Sequence, residues 1–188
     1  MEKPLLDLEK LREIALDQHG LVTTAQALEL GITKPNLSNL TRRGRLERVA
    51  HGVYRVPQIP YTQYEPYMLA LLWTGASEAT LSHETALDAY EVSDINPHKI
   101  HITINKGKRI RRTGGTKYIL HKQNLIQEQK TWWEQMPIVR LPVAIEQCID
   151  YGTPTYLLRQ AIESGKRTGL VTAKKKIILT QKLEKRNG

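Results

Sequence analysis

The 188-residue chain has no phenylalanine, one cysteine and fewer acids than bases. A single cysteine, Cys148, excludes an internal disulfide framework. Set in the apolar-periodic stretch PVAIEQCID, it reads as a core thiol rather than a nucleophile. No run approaches the roughly 18 consecutive apolar residues that a membrane span needs. The start, MEKPLLDLEK, lacks the apolar centre and small-residue cleavage site of a secretory signal. The expectation is a soluble, cytoplasmic protein with no membrane association.

Catalytic signatures are equally scarce. The chain has no HExxH, no paired CxxC, no GxSxG elbow and no close pair of aspartates suited to two metal ions. The run Glu163-Ser164-Gly165-Lys166-Arg167-Thr168 resembles the end of a phosphate-binding loop, but Gln160 stands where the first glycine belongs. His98 and His101, with His83-Glu84 nearby, invite a metal hypothesis. The two straddle the start of a strand, however, where their spacing points them to opposite faces, so a surface strand is expected. The reading is of a protein that is not an enzyme and has no metal and no cofactor.

What the chain does have is positive charge. Lysines and arginines exceed acids by nine, and a basic surface attracts polyanions and releases their counterions on binding. The distribution is informative. Between Lys34 and Arg55 the cations Lys34, Arg42, Arg43, Arg45, Arg48 and Arg55 face one acid, Glu47. A second block runs from Lys106 to Lys122 without an acid, and a third from Lys166 to the end with Glu184 alone against it.

The first block lies in a patterned segment. Leu8, Leu11, Ile14 and Ala15 recur at helical spacing until His19-Gly20. Thr23 or Thr24 can cap a short helix from Ala25 to Leu30, which Gly31 stops. Thr33 caps a third helix with Pro35 in its first turn, running to about Arg43 and ending at Gly44. Two short helices across a glycine turn can bury Ala27, Leu28, Leu30, Ile32, Leu37 and Leu40 together by crossing as a helix-turn-helix. With Leu37 and Leu40 inward, the third helix presents Lys34, Asn36, Ser38, Asn39, Thr41, Arg42 and Arg43. Amides and hydroxyls there suit base edges, and guanidinium groups suit phosphates or guanine. An ordinary solvated face is the bland alternative for such a helix alone.

The stretch RLERVAHGVYRV shifts the balance. Leu46, Val49, Val53 and Val56 alternate around His51-Gly52, which predicts two strands and a tight turn. A helix-turn-helix followed by a hairpin is a winged helix, and Arg48, His51 and Arg55 would lie along or at the tip of the wing. The expected DNA-binding set is therefore Lys34, Asn36, Ser38, Asn39, Arg42, Arg43, Arg48, His51 and Arg55.

PQIPYTQYEP is a proline-rich, non-helical connector, giving domains at 1–57 and 63–188. Beyond it the pattern predicts a buried helix through Tyr67–Trp73 and another capped by Ser82. A half-buried strand follows, with Ile100, Ile102 and Ile104 on one face and His101 and Thr103 on the other. Further strands are expected at 117–121 and about 138–141, then helices at 143–151, 155–164 and about 173–185. Gly114-Gly115 reads as a hairpin turn. The basic loop Lys106, Lys108, Arg109, Arg111 and Arg112 is either a solvated hairpin or a second electrostatic surface. The amphipathic C-terminal helix either closes the core or docks on a partner. The fold class is α+β: an N-terminal winged helix-turn-helix followed by a mixed α/β domain with a small sheet.

The segment GLVTTAQALELGITKPNLSNLTRRGRLERVAHGVYRV resembles the N-terminal winged helix of AbiEi-like antitoxins of bacterial type IV toxin-antitoxin and phage-defence operons. SHETALDAYEVSDINPHKIHITINKGKR and LPVAIEQCIDYG resemble that family's second domain. The resemblance implies a repressor that binds inverted repeats in double-stranded DNA at its own promoter, as a dimer or as cooperative monomers. It also implies that the C-terminal domain counteracts a co-encoded nucleotidyltransferase-like toxin without forming a stable complex with it. The rival reading from the residues is a protein-interaction module whose winged helix is structural. An RNA-binding protein is a second rival, disfavoured by the lack of phenylalanine and of stacking-sheet motifs.

Overall fold

Leu8, Leu11 and Ala15 share one face of the first helix, and in the computed structural model that face is buried. Residues 3–188 are described, with side chains from residue 6 onward; residues 1 and 2 of the expected first domain lie outside the described residues. The molecule is α+β, with two small sheets. The chain divides into two compact units, one running to Ser77 and including Arg109–Gly115, the other comprising Glu78–Lys108 and Thr116–Gly188.

The first unit is built from α1 (Lys3–Leu16), β1 (Leu21–Thr23), α2 (Thr24–Glu29), α3 (Lys34–Arg42), β2 (Glu47–Ala50), β3 (Val53–Arg55) and α4 (Glu65–Thr74). The six residues of α2 hold their start through a capping box. Thr23 Oγ1 accepts from the Gln26 amide at 3.2 Å, and Gln26 Oε1 accepts from the Thr23 amide at 2.9 Å. Gly31, at φ +76°, turns the chain into Ile32 and the next cap, Thr33. Leu8, Leu11, Ala27, Ile32, Leu37, Leu40, Leu46 and Val56 close one core, each large side chain contributing on the order of 1.5–3 kcal/mol. The strands pair antiparallel in the order β1-β3-β2, with a bulge between Arg48 and Ala50. Helix α4, read from the sequence as the start of the second domain, lies with this unit and packs on β1 and β3.

The second unit holds β4 (Thr80–Leu81), α5 (His83–Ala89), β5 (Ile100–Ile104), β6 (Tyr118–Lys122), β7 (Lys130–Trp133), β8 (Met136–Val139), α6 (Leu141–Tyr151), α7 (Thr155–Arg167) and α8 (Ala173–Asn187). The sheet order is β6-β5-β4-β8-β7. Two expectations are corrected here. Strands β5 and β6 pair in parallel, Ile100 beside Tyr118 and Ile104 beside Lys122, so Gly114-Gly115 cannot be a hairpin turn. Parallel neighbours need a crossover, and residues 105–117 provide it. Nor is β5 half-exposed: His101 and Thr103 are buried as fully as Ile102, because α5 packs against this strand.

Helix α8 closes the core of the second unit. Leu179 and Leu183 are buried, and Arg186 Nη1 donates to the Thr153 and Ile149 carbonyls at 2.8 and 3.3 Å. Lys182 pairs with Asp150 and Glu146, Lys175 with Glu146, and Lys176 with Glu163. Cys148 is buried in α6, and burial pushes its thiol well above the ordinary range, as befits an inert core sulfur. No helix among the described residues is long and apolar enough to cross a membrane.

Candidate nucleic-acid interface

Helix α3 owes its orientation to two buried leucines. Leu37 and Leu40 face the core, and Thr41 Oγ1 turns back to donate to the Leu37 carbonyl at 2.9 Å. Thr33 caps the start, its Oγ1 accepting from the Asn36 amide at 3.4 Å, and Pro35 occupies the first turn, where its missing N–H costs nothing. At 100° per residue, the direction opposite Leu37 and Leu40 is taken by Pro35, Ser38, Asn39 and Arg42. Ser38, Asn39 and Arg42 are exposed, as are Lys34 and Arg43 on the flanks. Arg42 Nη2 donates to Asn39 Oδ1 at 2.8 Å, so an amide and a guanidinium are joined at the centre of the exposed face. The bond holds the Asn39 amide, a group suited to a base edge, beside the Arg42 guanidinium, a group suited to phosphate.

Asn36 is placed differently from its neighbours. Its Nδ2 donates to Asp7 Oδ2 at 3.0 Å, tying α3 to α1, and its side chain is half-buried. On the hairpin, Arg48 and His51 are exposed, His51 at the turn itself. Arg55 is not. It is 3% exposed, ion-paired to Glu65 at 3.2 Å, donates to the Ile59 carbonyl at 3.0 Å and stacks 3.4 Å from the Tyr61 ring centroid. The expectation that Arg55 touches DNA is corrected on this geometry. In β3 its register, beside both Leu21 and Glu47, turns it inward toward α4. The structure therefore brings Lys34, Ser38, Asn39, Arg42 and Arg43 together on one helix, adds Arg48 and His51 on the adjoining hairpin, and takes Arg55 out of the set.

The basic loop divides by role. Arg112 Nη1 donates to the Trp73 and Leu72 carbonyls at 2.7 and 3.3 Å, satisfying the last turn of α4, while Trp73 Nε1 donates to the Thr113 carbonyl at 2.9 Å. Lys106, Lys108, Arg109 and Arg111 remain exposed. Sequence reasoning missed two things here: the Asp7 partner of Asn36, which is 29 residues away, and the meeting of His83 and His101 with His121, while His98 stays exposed and apart.

Residues 9–57 match the family model described as "Transcriptional regulator, AbiEi antitoxin", a span that contains α2, α3 and the β2–β3 hairpin. Among curated proteins no match was found. Over this N-terminal stretch, about a quarter of its length, the chain is similar to the AbiEi antitoxin family of transcriptional regulators.

Proposed function

We propose that the protein is a DNA-binding transcriptional repressor whose residues 1–57 work as a winged helix-turn-helix. Helix α3 enters the major groove with Ser38 and Asn39 toward the bases. Lys34, Arg42, Arg43 and Arg48 neutralise phosphates, His51 approaches the backbone or minor groove from the hairpin turn, and Asn36 holds α3 to α1 at the edge of the interface. The observation that carries this reading is the exposed Ser38, Asn39 and Arg42 face, on a helix whose opposite side is fixed in the core. The family match over residues 9–57 supports it. By the same reading the protein works in the bacterial cytoplasm and represses its own toxin-antitoxin operon by binding promoter inverted repeats, as a dimer or as two cooperative monomers. Residues 63–188 counteract a co-encoded nucleotidyltransferase-like toxin without a stable complex.

Fluorescence anisotropy with duplex DNA from upstream of the gene, against a scrambled duplex of equal length, tests this directly. Preference for the upstream DNA by about a thousandfold or more is expected. Asn39→Ala should cost about 1–3 kcal/mol on the upstream duplex while leaving scrambled DNA unaffected. Binding to neither duplex would overturn the reading and favour an interaction module whose N-terminal unit is structural.

A further inference from the structure

Three histidines from three elements meet inside the second unit. His83 opens α5, His101 lies on β5 and His121 on β6, and one ligand atom from each falls within 4.8 Å of the others. His121 Nε2 stands 3.1 Å from His101 Nδ1, and the His83 ring stacks on His121 with centroids 3.4 Å apart. Two imidazole nitrogens bound to one tetrahedral zinc at about 2.0–2.1 Å are about 3.3–3.4 Å apart, so the His101–His121 pair is close to ligating separation.

Cores of this size gain more from aliphatic side chains than from imidazoles, whose buried nitrogens must each find a partner. Here two of those nitrogens, His101 Nδ1 and His121 Nε2, face one another, and a ligand atom of His83 lies within 4.8 Å of both. Burial pushes all three imidazoles below their ordinary range. His83 also adopts φ +52°, a conformation that a residue with a Cβ takes at a cost.

The surroundings repeat the pattern found behind metal-binding imidazoles. With Nδ1 of His101 turned to the cluster, its Nε2 faces Glu84 Oε2 at 3.7 Å, and Glu84 is itself held by the Thr153 hydroxyl at 2.8 Å. A carboxylate beside the distal nitrogen orients a ligating ring and raises its basicity. Ser82 Oγ lies 3.0 Å from His83 Nδ1 and accepts from the Thr103 hydroxyl at 2.8 Å. Of the three, His83 lines a cleft of about 560 Å³, together with Tyr151, Gln147, Gln123, Lys106 and Lys122.

We propose that His83, His101 and His121 bind one divalent cation of the zinc class, with Glu84 orienting His101 and the remaining coordination position filled by water. Neutral imidazoles without thiolates or a carboxylate ligand select zinc and its borderline neighbours over magnesium or calcium. This site is independent of DNA recognition by α3.

The test uses the full chain with any affinity tag removed, stripped with chelator and desalted. Cobalt(II) titration should saturate at one equivalent per chain, with the visible absorption of a low-coordinate site. Added zinc should displace it, and elemental analysis should then find one zinc per chain. His121→Gln should abolish stoichiometric binding, whereas His98→Gln, at an exposed position outside the cluster, should retain it. Should His121→Gln fail to fold, the wild-type protein decides alone: zinc at a hundredfold excess over Kd should raise Tm by about 5–10 °C. No saturable cobalt binding at micromolar metal, an unchanged Tm, or binding that persists in folded His121→Gln overturns the proposal.

Discussion

Arg55 shows how far the meaning of one side chain depends on its register. On a free hairpin it would be one more phosphate contact, but with Glu65, the Ile59 carbonyl and the Tyr61 ring around it, it is a buried structural cation. Removing one member of a buried pair strands the other's charge. Glu65→Leu and Arg55→Met should each destabilise the protein by about 3–5 kcal/mol, and the double replacement should recover most of that loss. Urea denaturation of the three variants measures this. The folded double variant should bind DNA with the wild-type salt dependence; a shallower dependence would return Arg55 to the DNA interface. Charge pattern alone could not separate Arg55 from Arg48, because the difference lies in α4, packed on the inner side of β3.

At the scale of elements, the N-terminal helices were legible because their ends are chemically marked. Thr23 and Thr33 start α2 and α3, Gly31 separates them, and Leu37 and Leu40 fix which side of α3 is free. The second unit was read less completely. Strand β4 has two residues, too few for a period, and β7 lies at the sheet edge with Trp132 70% exposed, which hides any alternation. The histidine cluster escaped for a related reason. Alternation assigned His101 to a solvent face, and its proximity to His121 depends on parallel pairing that a glycine pair had suggested was a hairpin. The marked ends also predict stability. A six-residue helix has too few internal hydrogen bonds to persist alone, so the Thr23 and Gln26 capping box should matter. Thr23→Ala should lower stability by about 1 kcal/mol, and Thr23→Ser should restore it. A shift in urea midpoint at unchanged slope is the expected result, and equal stability of the alanine and serine variants would show that the cap contributes nothing.

For the molecule as a whole, an excess of nine cations states an affinity for polyanions without saying where it resides. Pairing answers part of that. In α8, Lys175, Lys176 and Lys182 are ion-paired to Glu146, Glu163 and Asp150, so part of the C-terminal block is neutralised locally. Lys34, Arg42, Arg43 and Arg48 are exposed, with Glu47 the one acid in their stretch of chain. If these four displace counterions, log K should fall with log salt at a slope of about −3.6 per bound chain, about −7 for two chains on an inverted repeat. Arg42→Ala with Arg43→Ala should flatten that slope by about 2 per chain and weaken specific and scrambled binding alike. Lys175→Ala with Lys182→Ala, removing paired charge, should leave it unchanged. The exposed Arg109 and Arg111 of the crossover are the remaining variable: replacing both leaves the slope intact if that loop is simply solvated, and flattens it by a further 1 to 2, in rough terms, if it forms a second DNA contact. An unchanged slope in the Arg42 and Arg43 variant, together with a flattened one in the Arg109 and Arg111 variant, would move the phosphate contacts from α3 to the crossover.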